Sequence, residues 1–416
     1  MNIIWDNLDL WSIPILAGFI GWFTNWLAIY MTFYPVEFVG LEFGGVKARG
    51  LDVEPLLGWQ GIIPAKAEKM AARAVDLITS KLIDIKEQFS KIDPKIVAEE
   101  MAPKMEELTK NIIEEAMQKN LTVAWSLFPK QRKEAIYKQA ALEFPQATED
   151  IMRDIKENIT ELLDLKAMVV ENLTRDKSLL NHIFLEVGKK EFKFIEYSGF
   201  VFGAYFGVIQ MIFWYFVRDY AFAWITLPVG GVIVGYLTNW LALKMIFEPE
   251  EPRSWMGLKV QGLFIKRQKE VSEAYSKIVA EKVITVPQIF DKLLEEASTE
   301  KLLPIVRKHI SESIDKTAGI ASSLIMFTAG TKTYEQIKQY TAERFIQELP
   351  NHIKSIFNYA EEALSVRETL CNRMSNLPPK EFVNFLRPVF QEDEWKLILI
   401  GAILGGVAGF FQIFIT

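Results

Sequence analysis

The chain has 416 residues, half of them hydrophobic and 24% charged. Its 47 basic residues against 53 acidic ones leave a formal net charge of -6, which excludes a nucleic-acid footprint spread over the whole molecule. Such an average suits neither a soluble protein nor a bare bundle of spans, so apolar blocks for a bilayer must alternate with charged blocks for water.

The first apolar block, Leu10–Phe33, is long enough to cross the roughly 30 Å hydrocarbon core of a bilayer. It lies in an uncharged run that reaches Val36 and contains the stretch GWFTNWLA at 21–28. After Pro35 comes an apolar, glycine-rich segment with Val36, Phe38, Val39, Leu41, Phe43, Leu56, Leu57 and Trp59, the composition of a membrane interface. Lys66, Lys69 and Arg73 follow, placed to meet anionic lipid headgroups. Ala71, Val75, Ile78, Leu82 and Ile85, then Val97, Met101, Met105, Leu108, Ile112 and Met117, recur at helical spacing, so block 34–196 reads as helices with buried stripes. Pro94, Pro103, Pro129 and Pro145 punctuate it.

A second span is read at Tyr197–Val217 and a third at Tyr220–Leu243, separated by little more than Arg218 and Asp219, which makes a tight hairpin. The third carries GYLTNWLA at 235–242. Past Pro249, the apolar residues Trp255, Met256, Leu258, Val260, Leu263 and Phe264 repeat the interfacial character, and Lys266, Arg267 and Lys269 repeat the basic turn. Block 244–396 is again helical, with Val271, Tyr275, Val279 and Val283 on one face and Pro287, Pro304 and Pro350 as breaks. A fourth span runs from Leu397 to Thr416. The expected fold class is therefore an all-α membrane protein with four transmembrane helices and two helical cytoplasmic blocks.

Four spans place both blocks on one side of the membrane. Lys47, Arg49, Lys189, Lys190, Lys193, Lys244, Arg253, Arg387 and Lys396 border the spans on that side, against Arg218 alone on the other. The positive-inside bias puts both blocks in the cytoplasm and both termini outside. The single cysteine, Cys371, fits a reducing compartment.

The two TNW stretches belong to a longer match. Gly21, Thr24, Asn25, Trp26, Leu27, Ala28, Met31, Phe33 and Pro35 recur 214 positions later, ending at Pro249. Gln60-Gly61 and Lys66 correspond to Gln261-Gly262 and Arg267 at an offset of 201; Gly199, Gly203, Gly207 and Gln210 correspond to Gly401, Gly405, Gly409 and Gln412 at 202. The chain reads as two copies of one unit, residues 1–217 and 218–416, each a span, a block and a span. An even number of spans per unit makes the copies parallel, not inverted.

Helices in lipid associate through close packing and hydrogen bonds, because lipid tails are as apolar as leucine. Gly199, Gly203 and Gly207, and Gly401, Gly405 and Gly409, each give one smooth helix face; Ala17, Gly21 and Asn25, with Gly231, Gly235 and Asn239, give the facing ones. Asn25 and Asn239 are expected to bond groups that the glycines leave bare, fixing register, while Thr24 and Thr238 bond back into their own helices. In the alternative reading, Asn25, Asn239, Gln210 and Gln412 line a polar path through the membrane. No ionisable residue in any span supplies a proton or ion relay.

Catalytic and metal motifs are missing: no GxxxxGK[ST] loop, no HExxH, no GxSxG elbow, and three histidines (His182, His309, His352) far apart in the sequence. Neither enzyme nor cofactor is expected. The motif Gly21–Pro35 followed by Gln60-Gly61-Ile62-Ile63-Pro64 resembles the YheB/YjiN-like family of bacterial multi-pass membrane proteins of unknown function, here twice over. Tyr30 stands where that family often has a basic residue, which Lys244 keeps, and Ile265 stands where Pro64 would recur. The resemblance implies an integral cytoplasmic-membrane protein and no reaction. A non-enzymatic helical scaffold or an inner-leaflet lipid-handling protein is the expected role, with lipids, a second copy or other proteins as partners and a transporter or pore subunit as the alternative. In a Cys371→Ser background, Asp219→Cys should react with a membrane-impermeant maleimide in intact cells, whereas Lys130→Cys and Lys332→Cys should react only after permeabilisation; the reverse pattern refutes the sidedness.

Overall fold

The computed structural model describes residues 8–40, 58–255, 258–295, 301–319, 326, 330–387 and 394–414. Leu41, Phe43, Leu56, Leu57 and Met256 of the interfacial segments, with Lys47 and Arg49 of the charge bias, lie outside the described residues.

In chain order, α1 is Leu8–Phe33, β1 Val39–Gly40, β2 Gly58–Trp59, α2 Ile62–Ala65 and α3 Ala67–Leu77. A π-helical turn, Ile78–Leu82, leads to α4 (Ile85–Ser90), α5 (Pro94–Ser126), α6 (Lys130–Glu157), α7 (Ile159–Leu162), α8 (Leu165–Arg175) and α9 (Lys177–Val217). The chain continues with α10 (Ala223–Phe247), β3 (Arg253–Trp255), β4 (Leu258–Val260), α11 (Leu263–Lys266) and α12 (Gln268–Ile278). A second π turn, Val279–Val283, precedes α13 (Val286–Glu295), α14 (Leu302–Ala318), α15 (Thr331–His352), α16 (Phe357–Leu364), α17 (Val366–Ser375), α18 (Pro379–Leu386) and α19 (Glu394–Gln412). The fold is all-α, interrupted among the described residues by two two-stranded antiparallel ribbons, β1–β2 and β3–β4.

Four of these helices are long and apolar enough to cross a membrane: α1, α9, α10 and α19. The helices run past the expected spans. The helix that carries the second span already begins at Lys177, because Asp176 caps it by accepting the Ser178 and Leu179 amides at 3.0 and 3.3 Å and no breaker follows. At 41 residues α9 is about 60 Å long, twice the hydrocarbon thickness, so only its later half is a span. The third starts at Ala223 and the fourth already at Glu394. Prolines also break the chain less than expected. Pro94 opens α5 behind the Asp93 cap, yet α5 runs through Pro103 and α6 through Pro145, each forfeiting one helical hydrogen bond.

The chain forms two compact units, one taking the chain up to Leu77, Val170–Ile278 and from Cys371 on, the other Ile78–Val169 and Val279–Leu370. The first holds the four spans. Within it α1 packs along α9 and α10 along α19; α9 also meets α10, and α1 meets α10 and α19. Leu10, Ile13 and Leu227, with Met211, Trp214 and Ile413, form one hydrophobic cluster; Ala28, Ile62, Leu243, Leu397 and Ile398, with Trp59, form another. The opposite face of α1 is a ladder of exposed rings, Phe23, Trp26, Tyr30 and Tyr34, with successive centroids 5.3–5.8 Å apart, suited to lipid.

Each opening span ends in the same turn. Tyr34-Pro35 and Glu248-Pro249 are cis, the Gly61 amide donates to the Pro35 carbonyl at 2.9 Å, and the Gly262 amide donates to Pro249 at 3.0 Å. A side chain at either glycine would collide with the last residue of the span, 2.7 Å from the Phe33 carbonyl carbon and 2.8 Å from that of Phe247.

Every described secondary-structure element of the second unit is helical. α5 packs on α6, α6 on α14, α14 on α15 and α15 back on α5. The sequence stripes are its core: Ile78, Leu82, Val97, Met101, Met105, Leu108 and Ile112 are buried, while Ile85 and Met117 are half-buried. Both π turns stand at the start of a segment of this unit, closed by Ile83 to Ile78 and Ile284 to Val279 amide-to-carbonyl bonds of 2.7 and 2.8 Å.

Glycine closes the span pairs. A Cβ on Gly21 would lie 2.2 Å from the Gly199 carbonyl oxygen; on Gly235 or Gly231 it would lie 2.1 Å from those of Gly401 and Gly405. Backbone cannot yield as a flexible side chain can. Gly21→Ala and Gly235→Ala should each therefore cost about 1–3 kcal/mol, the range for overpacking. A fall in the thermal midpoint of the detergent-solubilised protein would register it, and an unchanged midpoint in both variants would contradict the contact.

Candidate functional site

The polar residues of the spans sit at the glycine seams. In a helix the side chain of residue i+4 leans back over the carbonyl of residue i, so a glycine at i+4 leaves that oxygen bare. Gly199 uncovers the Ile195 carbonyl, and the Asn25 Nδ2 donates to it at 2.7 Å. Gly401 uncovers the Leu397 carbonyl, and the Asn239 Nδ2 donates to it at 2.8 Å. Both asparagines are buried, 1% and 3% exposed, and in both the Oδ1 has no hydrogen-bond partner. Thr24 bonds back to the Gly21 carbonyl at 3.2 Å and Thr238 to that of Val234 at 2.9 Å.

Asn25 and Asn239 line one small cavity of about 30 Å³, otherwise walled by apolar groups such as Phe192, Leu243, Phe264 and Leu397. That is room for a water molecule or two. Gln210 and Gln412 do not line it. Gln210 Nε2 donates to the Leu227 carbonyl at 3.2 Å and packs on Gly230, while Gln412 is buried.

The two basic turns differ. Lys69 and Arg73 are exposed and Lys66 is half-buried. Lys266 and Lys269 are exposed, but Arg267 turns inward onto Glu191, which is 1% exposed, and also meets Glu270 at 3.0 Å. Burial opposes the Arg267 charge, yet the hydrogen bonds it donates to Glu191 and Glu270 outweigh that and raise its pKa. Lys190 joins Glu270 at 2.7 Å, so in this structure Arg267 belongs to an ion-pair network that ties α12 to α9.

A larger cavity, about 130 Å³, opens in the second unit among α5, α6, α14 and α15. Its walls are apolar, including Ile112, Ile136, Phe144, Ile310, Ile314, Ile337 and Phe345, with hydroxyls from Thr109, Ser313, Thr317 and Thr341. Ile112, Met117, Phe144 and Phe345 fall at core positions of their helices and nothing in their spacing announces a void, which arises only where four helices fail to close.

Charged clusters that no linear motif reveals also appear in this unit. His309, 7% exposed, places Nε2 2.8 Å from Asp154 Oδ2, and Lys308 lies 3.2 Å from the same oxygen. Glu114 accepts from the Trp125 indole at 2.6 Å and from the Tyr137 hydroxyl. His309 and Asp154 are 155 positions apart, so sequence spacing carries no sign of them. The pair ties α6 to α14, and Glu312 lies 3.7 Å from the other ring nitrogen of His309. Among the described residues no group of three or more His, Cys, Asp or Glu side chains is placed to hold a metal ion.

A family model described as "Protein of unknown function (DUF445)" matches residues 229–386, from within α10 to the end of α18. The UPF0754 membrane protein of Staphylococcus aureus strain Newman is 24% identical over 209 residues, covering 45% of this chain and 53% of that protein. The UPF0754 membrane protein of Staphylococcus haemolyticus strain JCSC1435 is 26% identical over 145 residues, 34% of this chain and 37% of that one. With four spanning helices and relatives named for the membrane, the assignment follows. The chain is an integral membrane protein. It spans about half the length of the curated relatives it matches, and they carry no activity in their names. No solved structure matches it.

The Asp154 pair makes a pH-dependent contribution. Burial alone would raise the Asp154 pKa, but hydrogen bonds from His309 and Lys308 hold it below the ordinary carboxylate value. A folded pKa below the unfolded one gives stability that is complete above about pH 4 and lost as acid takes the carboxyl through its lower folded value. Asp154→Asn should lower stability at neutral pH and flatten its decline below pH ~4; a decline as steep as that of the unaltered protein, followed by tryptophan fluorescence, would assign the acid sensitivity elsewhere.

Proposed function

We propose that this membrane protein handles lipid, holding a hydrocarbon chain in the cavity among α5, α6, α14 and α15 while its four spans act as a rigid anchor. The observation that carries this reading is the size and lining of that cavity. The cavity is partly open, and its apolar walls face one another without packing together. A methylene chain laid among them would gain those contacts and remove apolar surface from water, at roughly 25 cal/mol per Å².

The seams support the anchor half of the reading, since helices whose carbonyls nearly touch leave little room for a bore. The charge bias supports cytoplasmic placement of both blocks, and the exposed Lys69, Arg73, Lys266 and Lys269 are proposed to meet anionic headgroups of the inner leaflet. The paired turns and seams at offsets of 214, 201 and 202 favour descent from one duplicated unit, divided at 217/218; the likeness to two tandem copies of the YheB/YjiN-like family rests on the same pairs.

A second reading, a transport path through Asn25 and Asn239, has in its favour the two unpartnered Oδ1 atoms at one cavity. Against it, both amide nitrogens are spent on main-chain carbonyls and the cavity holds little more than one water. Solute flux in reconstituted vesicles that falls with Asn25→Leu would turn the balance.

Filling the cavity tests the main reading. Ala140→Trp should occupy the space, keep the protein folded and cut binding of a fluorescent fatty acid at least about tenfold, the equivalent of roughly 1.4 kcal/mol. Binding of the probe unchanged by Ala140→Trp and by Ile314→Trp would overturn the acyl-chain assignment.

A further inference from the structure

Where the third and fourth spans meet, a polar cavity of about 120 Å³ lies within the first unit, lined by Trp240, Lys244, Glu248, Arg387 and Glu394 with Leu243 and Phe247. Lys244 and Glu248 belong to the last turn of α10 and its cap, and Glu394 opens α19, so the cavity sits at the end of two spans, the depth at which lipid headgroups lie.

Its charges are unevenly paired. The Glu248 carboxylate is bracketed by two cations, Arg387 Nη2 at 3.2 Å from Oε1 and Lys244 Nζ at 3.7 Å from Oε2. Lys244 also stands 4.8 Å from the centre of the Trp240 ring. That group carries one positive charge in excess. Glu394, half-buried, has neither hydrogen bond nor ion pair among the described residues. Burial and Glu248 oppose the Glu394 charge, while Arg387 favours it from across the cavity. The cavity therefore offers two cations gathered on Glu248 and, opposite them, a carboxylate with no hydrogen-bond donor among the described residues.

The frame does not need these charges. At the same offsets in the first half, Tyr30 stands for Lys244, Tyr34 for Glu248 and Phe192 for Glu394. There rings take the places of the charges: Tyr30 stacks on Tyr34 at 5.3 Å on the exposed face of α1, and Phe33 meets Phe192 edge-on at 5.2 Å. One turn geometry thus serves two chemistries, rings in the first half and a charged cavity in the second.

We propose that the cavity between Lys244, Arg387 and Glu394 is a binding site for the zwitterionic headgroup of an aminophospholipid. The phosphate lies against Lys244 and Arg387, and the primary ammonium donates to the Glu394 carboxylate. Trimethylated choline has no N–H to give Glu394, and glycerol headgroups bring no cation, so the site discriminates by the ammonium. The assignment does not depend on the apolar cavity of the second unit, and Ala140→Trp leaves it unchanged.

The test uses the full chain in nanodiscs of equal parts phosphatidylethanolamine, phosphatidylcholine and phosphatidylglycerol, with retained lipid identified by native mass spectrometry. Phosphatidylethanolamine should be retained about tenfold over the other two, the discrimination of one hydrogen bond to a charged group. Glu394→Gln should abolish that preference. Lys244→Tyr with Glu248→Tyr, which installs the stacked pair that the first half carries, should lower total retention. Retention in proportion to nanodisc composition, or a preference that survives Glu394→Gln, overturns the site. Displacement of retained lipid by millimolar O-phosphoethanolamine would identify a free zwitterion as the occupant and overturn the lipid assignment.

Discussion

The membrane half of this protein depends on one contact made twice: an asparagine amide reaching a main-chain carbonyl that a glycine has uncovered. Each part requires the other. Without the glycine, a side chain would cover the oxygen and hold the helices apart; a Cβ on Gly199 would lie 2.6 Å from the Asn25 amide nitrogen, and one on Gly401 2.2 Å from that of Asn239. Without the asparagine, the smooth faces could slide by a turn, since dispersion between small residues is nearly the same at each four-residue step. The bond is worth modest energy, about 0.6 kcal/mol on average in such settings, so its weight lies in register more than in stability.

Register matters because the turns that follow are built to fixed distances. Gly61 and Gly262 fold back onto the last residue of their spans, and Gln60 Nε2 bonds the Val36 carbonyl at 2.7 Å as Gln261 Nε2 bonds that of Glu250 at 3.3 Å. These turns set where α3 and α12 begin. Glu191, buried on α9, then meets Arg267 from the turn, an arrangement in which an inward carboxylate is tolerable only because a guanidinium neutralises it.

The turn after α1 and the turn after α10 have the same backbone bonds but carry different side chains around them, which separates what holds the turn from what it presents. Where both halves keep a residue, as at Asn25 and Asn239 or Gly61 and Gly262, the residue holds the frame. Where they diverge, the frame is indifferent, and the local chemistry is what changes: rings at Tyr30, Tyr34 and Phe192, charges at Lys244, Glu248 and Glu394. The second unit follows another logic. Its helices bury long apolar stripes but leave a partly open apolar cavity of about 130 Å³ among them.

The sequence by itself determined the spans, the helical class, the buried stripes of α3, α5 and α12, and the glycine faces, because each is a local or periodic signal that bilayer thickness and helix pitch impose on any chain. It also pointed to Asn25 and Asn239, whose amides stand out in uncharged segments. Only the tertiary structure decided which carbonyls those amides meet, that Arg267 turns to a buried glutamate, that His309 lies against Asp154, and where helices leave space. Those outcomes join residues tens to hundreds of positions apart, and they follow from how packed surfaces fit, a property that no spacing within one segment encodes.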